Sequence, residues 1–474
     1  MYELYDYQKA GVSGIRNAYM QGYKAPLYQL STGGGKTVVF SHITQNAVSR
    51  GKRVLILVHR NELLKQAAAS LEKCRLHVGR VSPKFSADYA APVQVAMVQT
   101  IVNRLHKFVE GFDLIITDEA HHVVAGTYRK IVDFFDTFQL GVTATPIRTD
   151  GKGLGIESGG VYDKLILGPS TKELIARGFL VQPIMYGGDP LDLSKVSTTS
   201  GGDYSKKQLD QIMNNKYITG NAVDHYIELS KYEPAVAFCT SVRRAEETAA
   251  AFRAEGLKFY ALSGKTDPDL RNRMLRGLGD GSIHGIASCD VISEGTDIPA
   301  IRTAIMLRPT NSLSLYIQQG GRALRTAPGK ENAIILDHVG NHTRFGSLIA
   351  DRDWSLDGKV KKIRKDNEEK AAAVHQCENC YAVHSANIRL CPFCNHYREI
   401  KENELVQIDG RLKRLSDLEM KIEKKREVQK RKKEIWECKT EAELVAYAAQ
   451  NGYKRGWPKY ILKSRAQRQA KKNN

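Results

Sequence analysis

No apolar run in the 474-residue sequence approaches the ~20 residues a membrane-crossing helix needs, so no helical membrane span is expected. The opening residues, Met1-Tyr2-Glu3-Leu4-Tyr5-Asp6, lack the basic and then apolar order of a secretory signal. The expectation is a cytoplasmic chain, in which structural disulfides are uncommon. Cysteine is scattered over most of the length: Cys74, Cys239, Cys289 and Cys438 stand alone, as buried packing residues do. No segment recurs at a fixed period, which excludes a solenoid.

What is present suffices for two or three domains, since 474 residues exceed what one core usually serves and 42% of them are hydrophobic. The formal charge of +19 attracts phosphate-rich partners, although charge alone does not separate nucleic acid from an anionic membrane surface. Short β-branched runs alternate with helical stretches from Leu27 to about Val142, and again from Val236 to about Asp337. Each half therefore reads as α/β, a parallel sheet flanked by helices. Strands are expected at Leu27 to Leu30, Val54 to Val58, Gln94 to Val98, Leu114 to Thr117 and Leu140 to Thr143. In open sheets of this kind ligands bind at the carboxyl ends of the strands. The polar stretch from Ser194 to Tyr204 reads as an exposed loop near the junction of the halves.

Beyond about Trp354 the composition shifts. Residues 411–474 hold 20 Lys or Arg against 8 Asp or Glu, so about +12 of the net charge lies there. Leu412, Leu415, Leu418 and Ile422 recur at helical spacing in a run reaching Trp436, as in a long, largely solvated helix.

The sequence Leu30-Ser31-Thr32-Gly33-Gly34-Gly35-Lys36-Thr37 follows an apolar strand and precedes a helical stretch. Glycines at 33, 34 and 35 let backbone N–H groups approach phosphate, and the next helix aims its positive end there. Lys36 then reaches the β- and γ-phosphates of ATP, Thr37 holds Mg²⁺, and Thr32 joins the lining. Leu30 stands where the strict P-loop pattern has its first glycine. A second buried-type strand, Leu114 to Thr117, ends in Asp118-Glu119-Ala120-His121-His122. Two adjacent carboxylates at a strand end are costly to bury unpaired. Mg²⁺ and an attacking water give them a use: Asp118 contacts the ion through its water shell and Glu119 deprotonates the water. His121 suits a nucleotide sensor or a coupling role, and His122 a surface or capping histidine.

In order along the chain, these segments resemble motifs of superfamily 2 helicases. The acidic box resembles the DEAH box, and Gly141-Val142-Thr143-Ala144-Thr145-Pro146 resembles motif III, which implies that Thr143 and Thr145 link hydrolysis to movement. Val58-His59-Arg60-Asn61-Glu62-Leu63 resembles motif Ia and Val98-Gln99-Thr100 a further strand-contacting motif, implying nucleic-acid contacts at Arg60, Gln99 and Thr100. Tyr7-Gln8 resembles the segment in which a glutamine reads adenine; the alternative for Gln8 is a helix-surface residue. Ala235-Val236-Ala237-Phe238-Cys239-Thr240 resembles motif IV, with Thr240 toward the nucleic-acid backbone. The stretch from Cys289 to Pro299 resembles motif V, with Gly295 and Asp297 as nucleotide contacts. Gln318-Gln319-Gly320-Gly321-Arg322-Ala323-Leu324-Arg325 resembles motif VI, with Gln318 at the nucleotide. Charge spread over γ-phosphate oxygens calls for arginine delivered across a closing cleft, and Arg322 and Arg325 are the candidates, Arg325 the more finger-like.

The resemblance covers residues 1–345 and implies two tandem RecA-like parallel-sheet domains, 1–165 and 166–354. A zinc ribbon over 370–400 and a basic helical tail over 401–474 follow. Cys377-x-x-Cys380 and Cys391-x-x-Cys394 place four thiolates at the spacing of a closed structural Zn²⁺ site, with His375, His384 and His396 as bystanders. A redox dithiol is the alternative, against which the doubled motif argues. Near the end, residues 451–460 interleave aromatic and basic side chains, suited to stacking on bases or to packing as a small helical cap.

The expected activity is ATP-driven translocation or unwinding of nucleic acid, DNA over RNA, in replication, recombination or repair. A motor subunit serving a restriction or anti-phage complex, and an RNA helicase, are the alternatives. No nuclease signature occurs in the sequence, so a nuclease or a replication or recombination factor would be a separate partner.

Overall fold

The computed structural model describes residues 3–122, 125–187, 191, 193, 196–199, 201–212, 222–292, 298–357, 374–377, 379–380, 382–385, 388–397, 438, 440–450, 458 and 461–462. Gly295 and Asp297 lie outside them, as do the charged run from Leu412 to Trp436 and the aromatic residues Tyr453 and Trp457. Residues Met1–Arg398 form one compact unit and Glu399–Asn474 a second.

In the first unit, β1 (Pro26–Gln29), β2 (Val54–Val58), β3 (Val78–Val81), β4 (Val93–Met97), β5 (Leu114–Asp118), β6 (Phe138–Thr143) and β7 (Lys164–Leu167) make a parallel sheet ordered β3-β4-β2-β5-β6-β1-β7. Helices cover both faces, which is why β2 is Val-Leu-Ile-Leu-Val with every residue buried. Val54, Ile56 and Val58 join one core; Leu55 and Leu57 join the other. The helix Asn61–Lys73 buries Leu63, Leu64, Ala67, Ala68 and Leu71, one stripe at the period of a helix. All five expected strands are present within two residues of their expected ends. The two strands that reading missed have a physical reason: β3 is Val-Gly-Arg-Val and β7 is a partly exposed edge, so neither carries an unbroken apolar run.

A second sheet contains β8 (Gln182–Gly187), β9 (Ala235–Phe238), β10 (Phe259–Leu262), β11 (Gly285–Ser288), β12 (Thr303–Met306), β13 (Asn332–Asp337), β14 (Val374–Gln376) and β15 (Ala382–Ser385), ordered β10-β11-β9-β12-β13-β8-β15-β14. Its first six strands in that order are parallel. The last two are not: β15 runs antiparallel to β8, with Ala382 opposite Tyr186 and Val383 opposite Met185, and β14 runs antiparallel to β15. The hairpin that carries the first cysteine pair thus continues the second sheet across its β8 edge, hiding N–H and C=O groups that an edge strand would expose.

Within the stretch expected as an exposed loop, the described residues 198, 199 and 201–204 form a tight turn. Thr199 N donates to Asp203 O at 2.8 Å, Thr198 pairs with Tyr204, and Gly202 takes φ +85°. Asp203 then accepts from Arg308 at 3.2 Å and from Thr310 Oγ1 at 2.9 Å.

In the second unit the helix Glu441–Gln450 buries Leu444 and Ala448 and starts in a capping box. Glu443 N donates to Thr440 Oγ1 at 3.2 Å, and Thr440 N to Glu443 Oε2 at 2.9 Å. No helix among the described residues is long and apolar enough to cross a membrane.

Candidate nucleotide site and inter-lobe cleft

The glycine loop leaves the buried end of β1 and enters the helix Lys36–Val48, so that Lys36 and Thr37 occupy its first turn. Gly33 and Gly35 have φ of +85° and +86°, a region L side chains rarely adopt. The loop is braced from the amino-terminal helix. Tyr7 OH and Gln8 Nε2 both donate to Gly34 O, at 3.1 and 3.2 Å, while Gln8 Oε1 accepts from Tyr5 N at 3.0 Å. The Gln8 side chain is buried and holds the loop in shape, so it is not the helix-surface residue of the simpler alternative. Tyr7 packs against Phe179 at 4.9 Å between ring centroids, with the Arg177 guanidinium 5.4 Å over the Tyr7 ring. Burial raises the Tyr7 hydroxyl to about 12, keeping it a donor. Arg177 and Phe179 escaped the sequence reading because they fall between motifs.

The acidic box closes β5. Asp118 and Glu119 are both buried, Glu119 adopts φ +48°, and Glu119 N donates to Asp118 Oδ1 at 2.9 Å. Glu119 Oε2 lies 3.4 Å from His121 Nδ1. The His121 ring also meets Thr143 Oγ1 at 2.8 Å through Nδ1 and Ser314 Oγ at 3.1 Å through Nε2. Ser314 Oγ in turn meets Thr145 Oγ1 at 2.6 Å. His121, Thr143 and Thr145 therefore share one buried cluster with a serine from the second lobe. No pattern in the sequence marked that serine.

The arginine motif comes from the helix Leu313–Gly321, which presents its carboxyl end to the glycine loop. A β-carbon built on Gly321 would lie 2.7 Å from Thr32 Cγ2, so only glycine lets helix and loop approach this closely. One built on Gly33 would lie 2.8 Å from Leu180 Cδ2 and 3.7 Å from Arg325 Cγ. Arg325 thus reaches the loop that carries Lys36, and Arg322 and Gln318 are buried just before it. Thr32 Oγ1, Glu119 Oε2 and Gln318 Nε2 are buried polar atoms with no hydrogen-bond partner among the described residues. Loop, box and helix together make a donor set suited to a phosphate chain with Mg²⁺.

A cavity of about 380 Å³ opens between the lobes, lined by Arg60, Glu62, Val242, Gly264, Lys265, Cys289, Asp290 and Val291. Arg60 Nη1 donates to Asp290 O at 2.7 Å, and Arg271 pairs with Glu62 at 2.8 Å, so both contacts cross the cleft. Asp290 takes φ +62° and binds Arg308 at 2.5 Å and also Lys206. Burial alone would raise its pKa, but those two cations hold it below the usual carboxylate value. Gln99 is exposed and Thr100 buried on the short helix Val98–Ile101, and Thr240 is buried at the end of β9; none of the three lines this cavity.

The four cysteine sulfurs lie within 4.8 Å of one another, with Cys377–Cys394 and Cys380–Cys391 both at 3.6 Å. A tetrahedron with Zn–S bonds of ~2.3 Å needs sulfurs about 3.8 Å apart, so the residues fit the ion. Cys391 N donates to His396 O at 2.9 Å and Cys377 N to Ala382 O at 3.0 Å, turning each pair inward. His384 belongs to β15, opposite His375 in β14, away from the sulfur set.

Residues 1–148 match the family described as Type III restriction enzyme, res subunit, and residues 219–327 match the helicase conserved C-terminal domain. A 51.5 kDa protein of a Lactococcus phage (isolate 7-9) is 32% identical over 400 residues, 84% of this chain and 83% of its own length. A Saccharomyces cerevisiae protein named as an ATP-dependent helicase, IRC3, is 32% identical over 359 residues, which cover 71% of this chain but 51% of the yeast one. Among solved structures, the ATP-dependent Type ISP restriction-modification enzyme LlaBIII bound to DNA shares the fold with a TM-score of 0.54 at 17% identity, over 71% of this chain and 28% of the other. The motor architecture, the two family matches and a phage relative aligned over most of both chains lead to one conclusion: this chain belongs to the superfamily 2 helicases of the restriction and phage type, ATP-hydrolysing motors of two RecA-like lobes.

Proposed function

We propose that this motor moves along DNA, with residues 1–165 and 166–354 as its lobes, and that it separates or remodels strands as ATP is consumed between them. In this reading Lys36 binds the β- and γ-phosphates, backbone N–H groups of Gly33, Gly34 and Gly35 cradle them, and Gln8 stands near the adenine. Thr37 and, through water, Asp118 would hold Mg²⁺, which would supply positive charge to the phosphate oxygens. Glu119 takes a proton from water as its oxygen bonds to the γ-phosphorus, and the bond from that phosphorus to the β-bridging oxygen breaks. The products are ADP and phosphate. Arg322 and Arg325 stabilise the charge that spreads over the γ-phosphate oxygens. Gln318, Gly295 and Asp297 complete the nucleotide contacts, the last two on sequence grounds.

The observation that most supports this reading is the approach of Arg325 and Gly321 to the loop that carries Lys36, across the lobe boundary. Arg60, Gln99, Thr100 and Thr240 are assigned to the nucleic-acid strand. Zn²⁺ is assigned to Cys377, Cys380, Cys391 and Cys394 as a structural ion. DNA is preferred to RNA because restriction-type motors are the recurrent likeness, and the basic tail adds salt-dependent grip. A second reading, a motor subunit serving a separate nuclease, draws on the match of residues 1–148 to a restriction-enzyme subunit.

The test is ATP turnover and strand displacement with forked DNA of either overhang polarity, blunt duplex, single-stranded DNA and matching RNA forks. DNA-stimulated turnover with displacement of one polarity supports the first reading. Turnover on DNA without displacement supports the second, and stimulation by RNA alone sinks both.

A further inference from the structure

Lys330 is a buried amine that the proposed cycle leaves unused. It is 7% exposed, and its Nζ donates to Arg325 O at 2.6 Å, Ile301 O at 2.6 Å and Pro299 O at 3.3 Å. An ammonium has three N–H bonds and no acceptor, so three main-chain carbonyls satisfy it fully. One of those carbonyls belongs to Arg325 itself. The other two belong to Pro299, the last residue of motif V, and to Ile301 just beyond it.

The chain between Arg325 and Lys330 is Thr-Ala-Pro-Gly, with Gly329 at φ +67° and a turn closed by Lys330 N donating to Ala327 O at 3.1 Å. Leu180 pairs with Arg325 in an isolated bridge, and Val181 N donates to Leu324 O at 2.9 Å. A buried cation is costly and an apolar side chain would pack here without that cost, so the charge calls for a use. We infer that Lys330 is a positioning residue for Arg325: its ammonium fastens the main chain of the arginine to the end of motif V, aiming the guanidinium at the glycine loop. This inference rests on Arg325 being the arginine that meets the γ-phosphate.

The groups facing the amine are Arg302, Arg325 and Glu233. Burial first, then the two arginines, push it down to about 7, while Glu233 opposes them. Arg302 is itself held by Glu233 at 3.1 Å and by Pro328 O at 3.3 Å. Above pH ~7 the amine in the folded chain sheds its proton, loses one donor and turns a lone pair toward a carbonyl, which slackens the hold on Arg325. The unfolded chain keeps that proton to about pH 10.4, so over this window the unfolded state binds more protons and the group makes folding more favourable as pH rises. Turnover and stability therefore respond in opposite directions.

The experiment compares the full chain with Lys330→Met, Arg325→Ala and the double variant, measuring kcat and KM for ATP at saturating single-stranded DNA from pH 6 to 9.5, with Tm recorded alongside. Lys330→Met should lower kcat at pH 6.5 on the order of tenfold to a hundredfold with KM within about twofold, the size expected of a misplaced reacting group. It should also remove the alkaline decline in kcat of the parent. In the Arg325→Ala background it should change kcat by less than about twofold, because a residue acting through Arg325 has nothing left to position. An undiminished loss in the double variant overturns the inference and leaves the arginine reading standing. Unchanged turnover in Arg325→Ala alone removes that reading and this inference with it. Should Lys330→Met not fold, Lys330→Gln, which keeps two N–H donors, carries the same comparison.

Discussion

Ser314 Oγ stands 3.1 Å from His121 Nε2, so the helix of the arginine motif in the second lobe is hydrogen-bonded to the acidic box of the first. The same hydroxyl meets Thr145 Oγ1 at 2.6 Å, and His121 meets Thr143 at 2.8 Å. One buried serine thereby joins three segments, which the proposed opening of the cleft would change together. Ser314→Ala leaves two buried polar groups short of a partner, at about 1–3 kcal/mol. The expected result is weaker coupling: stimulation of ATPase by nucleic acid should fall roughly tenfold, with ATP affinity little changed. Equal stimulation in parent and variant would remove Ser314 from the coupling path.

Lys36→Ala, Glu119→Gln and Arg325→Ala touch successive parts of the proposed chemistry. Each should lower kcat by about a hundredfold or more, and Arg325→Ala on the order of a thousandfold. Glu119→Gln should still bind a non-hydrolysable ATP analogue, whereas Lys36→Ala should bind it poorly. Calorimetric titration beside steady-state turnover separates these outcomes, and full turnover in Glu119→Gln counts against that residue as the base.

Gly35→Ala tests the shape of the loop. Its left-handed conformation costs a side chain roughly 1–2 kcal/mol, and the new methyl would lie 2.4 Å from Gln8 Nε2, displacing the bond to Gly34 O. Nucleotide affinity should weaken at least tenfold while Tm falls by a few degrees at most. A KM for ATP like that of the parent would show that the brace from Gln8 is dispensable.

Most of this candidate site was legible because phosphate chemistry calls for fixed residue types in a fixed order: glycines 33 to 35, Lys36 and Asp118 follow or end strands, and Arg325 follows a helix. Ser314, Lys330 and Asp290 were not. A serine or lysine gains its role from which carbonyl or ring it meets after folding, and Asp290 from the cations that two distant elements bring to it. The hairpin β14–β15 was legible as a metal site from its cysteines, but its attachment to β8 was not, because strand pairing at an edge leaves no signature in spacing.

Zinc removal should expose that attachment. Elemental analysis is expected to find one Zn²⁺ per chain, and Cys391→Ser should lower the content below half with a fall in Tm. Hydrogen exchange should then quicken at the one of the two adjacent amides, Met185 or Tyr186, that faces β15, while the other, facing β13, stays protected. Unchanged exchange in a zinc-free chain would mean that the hairpin holds its place without the ion.

The chain leading into β8, the strand that accepts the hairpin, passes the glycine loop at Leu180. From Leu180, beside Gly33 and Arg325, to Tyr186, beside Ala382, is six residue steps, strand from Gln182 on, a span of at most about 20 Å. Extended chain scarcely stretches, so a shift of the cysteine-bearing hairpin along β8 would be passed toward Gly33 and Arg325 with little slack.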